Sequence, residues 1–419
     1  MRVVVLGAGV IGVTSAFYLA QEGHEVTVID QMSKVGQDAT GGNAGLIAPG
    51  HSFAWASPQA PKMLMRSLRG EATAIRVKMR ADPRLVWWGM QFLRECNSER
   101  ARINTLAKLA LCQYSQAATN ELATSEGIDY QQVTKGLLYL YREEADLQVG
   151  LAKMELLREH GQLLDVLDKE GLARLDPAFA DSRVTLAGAI HGVTDSSGNS
   201  ELFTTILADR CKALGVEFRL GESVKSLKAQ HGHVLSVETD LGEIRGDQYV
   251  LALGIRSPFI SRTVGQSLPI YPAKGYSLTV PVKNPDRSPQ TGGVDEKTLV
   301  AWSPLGSNLR MSSTAEFAGY DRTFRHSDFS NILSTAQELF PDAADWETAQ
   351  MRSCLRPMTP DGPPIIGRGA KHDNLWYNTG HGHIGWTMAC GSGLALADVM
   401  AGRQAAVDME PFKVRSVRR

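Results

Sequence analysis

The chain opens with four consecutive apolar residues, Val3, Val4, Val5 and Leu6, the pattern of a strand buried on both faces. Helical composition follows over Val13–Gln21, with the helix beginning near Val10, and Glu25–Ile29 predicts a second strand that ends at Asp30. Ser98–Glu126 is strongly helical, and Asp146–Glu159 and Ser200–Leu214 are amphipathic helices, the last stopped by Gly215. Val216–Leu220, Val224–Leu227 and Val234–Thr239 alternate like strands, and Gln248–Gly254 is an apolar strand ending in glycine. Pro269–Val282 and Thr298–Ser313 predict antiparallel strands, separated by a Pro/Asp/Gly-rich loop at Lys283–Glu296. Leu355–Gly367 is a proline-loaded connection, and Asn374–Gly393 reads as strand, glycine turn and helix. No internal repeat interrupts this order.

The first strand, helix and second strand carry a specific signal. Gly7, Gly9 and Gly12 stand in the spacing G-x-G-x-x-G between strand and helix. The first glycine permits a sharp turn, the second lets backbone approach a pyrophosphate, and the third lets helix pack on strand. The helix start offers amides and a positive dipole end to phosphates. Asp30 closes the unit, where a carboxylate accepts hydrogen bonds from a ribose. An acid there fits NAD or the adenosine end of FAD and disfavours NADP. Gly36–Gly50, GQDATGGNAGLIAPG, has the composition of backbone lying against a flat ligand, or of a flexible surface loop.

A chain of 419 residues, 43% hydrophobic and 21% charged, is long enough for two domains or three. A net charge of −1 argues against a nucleic-acid binder. Cys96, Cys112, Cys211, Cys354 and Cys390 are scattered without a C-x-x-C pair, which suits reduced thiols in the cytoplasm and no metal site. No stretch of about 18 uninterrupted apolar residues is present, and the apolar start is explained by the glycine pattern rather than by a signal peptide. Residues Pro61–Arg84 interleave Lys62, Arg66, Arg69, Arg76, Lys78, Arg80 and Arg84 with apolar residues, and Trp87 and Trp88 follow. Such a segment either packs on its own domain or attaches peripherally to the anionic cytoplasmic membrane.

Taken in series, LGAGVIGVTSAFYLAQEGHEVTVID, GGNAGLIAPG, YPAKGYSLTV, LRPMTPDGPPIIG and NTGHGHIGWTMACGSG resemble the FAD-dependent D-amino-acid dehydrogenases of bacteria, from residue 1 to about residue 403. These belong with the D-amino-acid oxidase and glycine oxidase superfamily. The resemblance implies an α/β fold: a Rossmann-like FAD-binding domain from residues 1–55, 188–268 and 352–410. An interleaved α+β substrate domain with a mixed or antiparallel sheet would come from 56–187 and 269–351. It implies that Gly7, Ala8, Gly9, Val10, Ile11, Gly12, Asp30 and Gln31 hold the ADP moiety, with Val224 at the adenine and Gly254 at the pyrophosphate. Asn43, Ala44, Gly45 and Leu46 would lie along the flavin, and Gly382, Ile384, Gly385, Trp386 and Thr387 would close on the isoalloxazine.

The resemblance implies that Arg356 is the carboxylate anchor, where the residues alone leave an internal ion pair equally open. It sits on a stiff segment before Pro357, and a planar, permanently charged fork pairs naturally with an amino-acid carboxylate. Tyr276 and His51 complete the catalytic candidates, with His381 and His383 also in motifs expected near the flavin. The implied reaction needs placement and electrostatics more than a side-chain base. The implied partners are a small D-amino acid or imino acid and a quinone or other electron carrier.

Two departures fall where the substrate side chain would sit. Thr298 replaces an expected tyrosine, and Ser312 and Ser313 replace glycines, with Lys297 and Trp302 as candidate substitutes. D-Proline or D-hydroxyproline therefore rivals D-alanine as substrate. A glycine- or sarcosine-type oxidase, a non-catalytic flavin subunit and an NAD-dependent dehydrogenase are the remaining alternatives.

Overall fold

The computed structural model describes residues 1–68, 75–78 and 81–414. Arg69 and Arg80 of the basic segment lie outside the described residues. Among the described residues, one sheet of six strands runs in the spatial order Ile365–Arg368, Leu375–Thr379, Gln248–Leu251, Arg2–Leu6, Glu25–Asp30, Glu217–Leu220. All pairings are parallel except that of the edge strand Ile365–Arg368. The opening apolar run explains the layering. Val3 and Val5 pack with the helices Val10–Gln21, Ser200–Ala213 and Gly385–Met400 on one face. Val4 and Leu6 pack with Val224, Leu227, Val234 and Ile260 on the other. A side chain buried from both directions stabilises the fold by about 1.5–3 kcal/mol, so this strand anchors both layers.

A second, mixed sheet of nine strands begins at the edge with Gln350–Met358. Tyr271–Pro281, Asn308–Phe317, Val300–Leu305, Gly292–Asp295, Leu137–Tyr141, Gly188–Gly192 and Leu164–Leu167 follow, and Ile75–Val77 pairs beside Asn308–Phe317. Tyr276, Leu278, Val300, Trp302, Leu309 and Met311 point to one face, where Phe329, Ile332 and Leu339 cover them. The opposite face turns toward the first layer. The architecture is thus α/β, a Rossmann-like parallel layer with an interleaved α+β layer built on a mixed sheet.

Three expectations are corrected. Gly188–Gly192 and Gln350–Met358 pair in the mixed sheet and not in the nucleotide layer to which residues 188–268 and 352–410 were assigned. Pro357 lies within a strand because that strand is the sheet edge, where a missing N–H costs no ladder bond. The expected loop at Lys283–Glu296 contains the buried strand Gly292–Asp295. Its Gly293 lets the Trp302 ring lie directly against the backbone, which a Cβ would exclude.

The basic segment packs inward at its tryptophans. Trp88 is buried in the helix Pro83–Glu95 and its Nε1 donates to Met358 O at 3.0 Å. Val86, Met90 and Leu93 form the exposed side of the same helix. No helix among the described residues is long and apolar enough to cross a membrane.

Candidate active site

Between the two layers lies a cavity of about 1260 Å³ that reaches from Asp30 to Arg356. At its first end the glycines set the backbone. Gly7 has φ +114°, and a Cβ on Gly12 would stand 2.8 Å from the Gly7 carbonyl carbon and closer still to its oxygen. The strand–helix turn therefore has no room for a side chain, which leaves the helix start open to the cavity through Ala8, Gly9, Val10 and Ile11. Asp30 accepts from Ala8 N at 2.7 Å and from Met32 N at 2.8 Å. Burial raises its pKa, while those two amides and the nearby Arg256 act in the opposite direction. Gln31 lines the cavity and accepts from Arg256 Nη1 at 2.6 Å. Arg256 was not foreseen in the sequence; it follows the strand Gln248–Leu251 directly and brings a cation to the acidic end.

Along the middle of the cavity run Asn43, Ala44 and Leu46. Asn43 folds its own loop, donating to Thr40 O and Ser200 Oγ at 2.7 Å each and accepting from Gly45 N at 2.7 Å. Gly254 lines the wall opposite, and Gly382, Ile384, Gly385 and Trp386 close the far side. There the helix Gly385–Met400 begins without a side-chain cap, so its first amides and positive dipole end are free to meet developing negative charge. Thr387 lies one step outside the lining and fixes the loop, its hydroxyl accepting from Ala48 N at 3.0 Å. Gly7, Gly12 and Gly45 likewise shape the wall without lining it. Val224 does not reach the cavity; its side chain is core, and its carbonyl holds Arg256 at 2.9 Å.

Arg356 projects from the edge strand over Gly275 of its neighbour, where a Cβ would lie 2.5 Å from the guanidinium carbon. Its Nη1 donates to Thr314 O at 3.1 Å, and Nη2 lies 3.5 Å from Ser312 Oγ. Thr314 holds φ +61° at a bulge between the strands Tyr271–Pro281 and Asn308–Phe317. A β-branched residue rarely adopts that conformation, and it lies at the cavity wall beside the arginine. Burial pulls the guanidinium pKa down, yet no carboxylate pairs with it among the described residues. A desolvated cation without a counter-charge, facing a cavity, is arranged for an incoming anion. Gly275→Ala pushes the guanidinium aside, so the half-saturating substrate concentration should rise roughly tenfold, about 1.4 kcal/mol, with the limiting rate of flavin reduction changed less. Stopped-flow reduction reads both quantities.

His51 lines the cavity, with Nε2 3.6 Å from Glu296 Oε1 and its ring stacked 5.9 Å from Tyr139. Tyr276 is corrected: it does not line the cavity but packs edge-on against Phe329 in the core of the mixed sheet. Trp302 is also core, its Nε1 bound to Thr291 O at 2.9 Å, and Lys297 is exposed and paired with Glu143. Neither stands in for the missing tyrosine. Thr298 is displaced by Leu299, which lines the cavity with φ +52°. The Ser312 hydroxyl donates to Tyr276 O at 3.0 Å and that of Ser313 to Leu299 O at 2.9 Å, so both are spent on the sheet. Burial pulls His381 down to about 3 and His383 well below its ordinary value, which keeps both neutral. His381 Nε2 is bonded to Ser392 Oγ at 2.9 Å, and the His383 ring stacks on Trp55 at 4.6 Å.

A dinucleotide-length cavity with a glycine turn and an acid at one end, and an uncapped helix start midway, fits FAD. The chain matches the family described as FAD dependent oxidoreductase (DAO) over residues 2–399. It is 42% identical over 409 residues to "D-amino acid dehydrogenase 2" of Mesorhizobium japonicum, covering 97% of this chain and 98% of that protein. It is 42% identical over 411 residues to a D-amino acid dehydrogenase of Paramagnetospirillum magneticum, covering 98% and 97%. Glycine oxidase from Geobacillus kaustophilus shares the fold at a TM-score of 0.75 and 24% identity, over 99% of this chain and 98% of that one. L-Proline dehydrogenase from P. horikoshii does so at 0.73 and 17%, over 99% and 96%. The arginine without an acidic partner among the described residues, the glycine turn and the near-complete overlap lead to one conclusion: the chain belongs to the FAD-dependent oxidoreductases of the DAO family, and its cofactor is FAD.

Proposed function

We propose that this protein is a D-amino acid dehydrogenase, oxidising the Cα–N bond of a D-amino acid to an imine that water opens to a 2-oxo acid and ammonia. When bound, FAD supplies the two-electron acceptor. The observation that carries the reading is Arg356, a cavity-facing guanidinium with no carboxylate partner among the described residues. It takes the substrate carboxylate through two charge-assisted hydrogen bonds, and Thr314 O holds the fork in the orientation that receives it. Ala8 to Ile11 and Asp30 hold the nucleotide end, and the amides starting Gly385–Met400 meet negative charge at the flavin end. His381 and His383 stay neutral near neutral pH and serve to exclude water and pack the wall. The substrate reacts as its neutral amine, its ammonium proton having passed to solvent water, and no side chain is required as base.

The second acceptor is a quinone or another carrier rather than oxygen. Peripheral contact with an anionic bilayer is supported by the exposed Val86, Met90 and Leu93 on one helix face with Arg94 beside them. A panel of D- and L-amino acids, read by anaerobic bleaching of the flavin, tests the function. D-Amino acids should bleach it, L-enantiomers should not, and air should yield little peroxide while a quinone is reduced. Bleaching by L-amino acids alone, or by none, overturns the reading. Co-sedimentation with anionic but not neutral vesicles tests the membrane contact.

A further inference from the structure

Glu296 is a carboxylate inside the substrate cavity that the chemistry above does not use. Three acids line that cavity: Asp30 serves the nucleotide end, Asp38 is paired with Arg322 at 2.6 Å, and Glu296 remains. Its Oε1 is buried and no donor among the described residues reaches it. His51 Nε2 faces it at 3.6 Å, a contact longer than a hydrogen bond and an ion pair only when the ring is protonated. Lys153, the next nearest cation, is drawn over the Phe53 ring at 4.2 Å. Burial pushes the Glu296 carboxyl up, but His51 and Lys153 together outweigh it and hold the group below the usual carboxylate range. A buried, ionised acceptor left short of donors is costly unless a ligand completes it.

The register of the mixed sheet gives its place relative to Arg356. Val294 pairs with Ala301 and Ala301 with Ser312, all three on the wall of the cavity. Glu296 opens the turn that follows Gly292–Asp295 and lines the same cavity as Thr314, whose carbonyl holds the Arg356 guanidinium. Strands lie about 4.8 Å apart, so Ser312, beside the arginine, and Val294, two residues before Glu296, stand about 10 Å apart across the sheet. Val294 and Glu296 both line the cavity, while Asp295 between them turns away to Arg142. A carboxylate-binding cation and an unfilled carboxylate therefore face one cavity from positions two strand spacings apart in the sheet, room for a long amino acid between them.

We propose that Glu296 receives the cationic tip of the substrate side chain, so that the enzyme selects basic D-amino acids such as D-lysine, D-ornithine or D-arginine over apolar ones of equal length. The proposal rests on the dehydrogenase reading and goes beyond it by naming the substrate class. Arg356 and Glu296 act as the two ends of a ruler. A short side chain leaves Glu296 unfilled, and an acidic one meets like charge.

The test compares kcat/KM for D-lysine and D-norleucine in the holoenzyme and in Glu296→Gln, with flavin content and Tm checked for each protein. The wild type should prefer D-lysine by at least tenfold. The variant should lose about thirtyfold on D-lysine, chiefly in KM, while D-norleucine changes less than threefold. An equal fall on both substrates means that Glu296 only positions His51, and overturns the proposal. A wild type that favours D-norleucine overturns it without any variant and leaves the dehydrogenase reading standing. If neither these nor any other D-amino acid bleaches the flavin, the parent reading falls and takes this one with it.

Discussion

Arg356→Ala lowers kcat/KM for D-amino acids by between about 30-fold and several thousand-fold, the equivalent of about 2–5 kcal/mol. The size follows from the setting. The guanidinium is desolvated, has no acidic partner among the described residues, and is held by Thr314 O and the edge of Ser312 Oγ. Removing it leaves the incoming carboxylate to be buried with no counter-charge at all. The loss should appear mainly in the substrate concentration that half-saturates flavin reduction, because the contact forms before the bond changes and persists through them. Arg356→Lys keeps the charge but loses the planar fork, and should recover only part of the loss. A kcat/KM within threefold of wild type for the alanine variant would remove the arginine from the site.

Gly12→Val should yield a colourless and unstable protein. Any Cβ at this position meets the Gly7 backbone, and neither the turn nor the helix can retreat, since Gly7 N is fixed to Ile29 O at 2.8 Å and Val13 N to Gly9 O at 3.0 Å. A backbone collision at the hinge of two buried layers belongs with the largest single-residue effects, about 4 kcal/mol or more. Gly23→Ala is the matched control. It has φ +78° but nothing within 4 Å of the added atom, so it costs only the left-handed backbone term, about 1–2 kcal/mol, and keeps its flavin. The ratio of flavin to protein absorbance, with thermal unfolding of each, distinguishes the two. A yellow Gly12→Val protein of ordinary Tm would contradict the geometry.

What the sequence disclosed, and what it did not, divides along a physical line. The glycine turn was legible because its requirement is local: strand, turn and helix are contiguous, and the acid follows at the end of the next strand. Arg356 was legible because Pro357 stiffens it and its motif matches as a unit. Tyr276 was misplaced by one step of parity. In Tyr271–Pro281 the residues Ala273, Gly275 and Ser277 face the arginine side, and Lys274, Tyr276 and Leu278 face the core. Both faces of this strand are buried, so alternation of apolar and polar residues gives no cue, and a one-residue shift exchanges the faces. Val224 keeps its side chain in the core and offers its carbonyl to Arg256. Thr314 and Glu296 owe their places to a bulge and to pairing across three strands, which no stretch of adjacent residues encodes.

The strand order of the parallel layer also constrains how the chain can be made. Arg2–Leu6 finds one neighbour at Glu25–Asp30, but the other, Gln248–Leu251, is far away, and that strand's outer partner is Leu375–Thr379. During synthesis at about 5–20 residues per second, the unpaired edge of Gln248–Leu251 waits roughly ten seconds for its partner to emerge. An apolar strand with open amide and carbonyl groups is a template for pairing with other chains in that interval. Soluble yield should therefore respond to translation speed and chaperone supply between those two strands more than to the intrinsic stability of the finished protein.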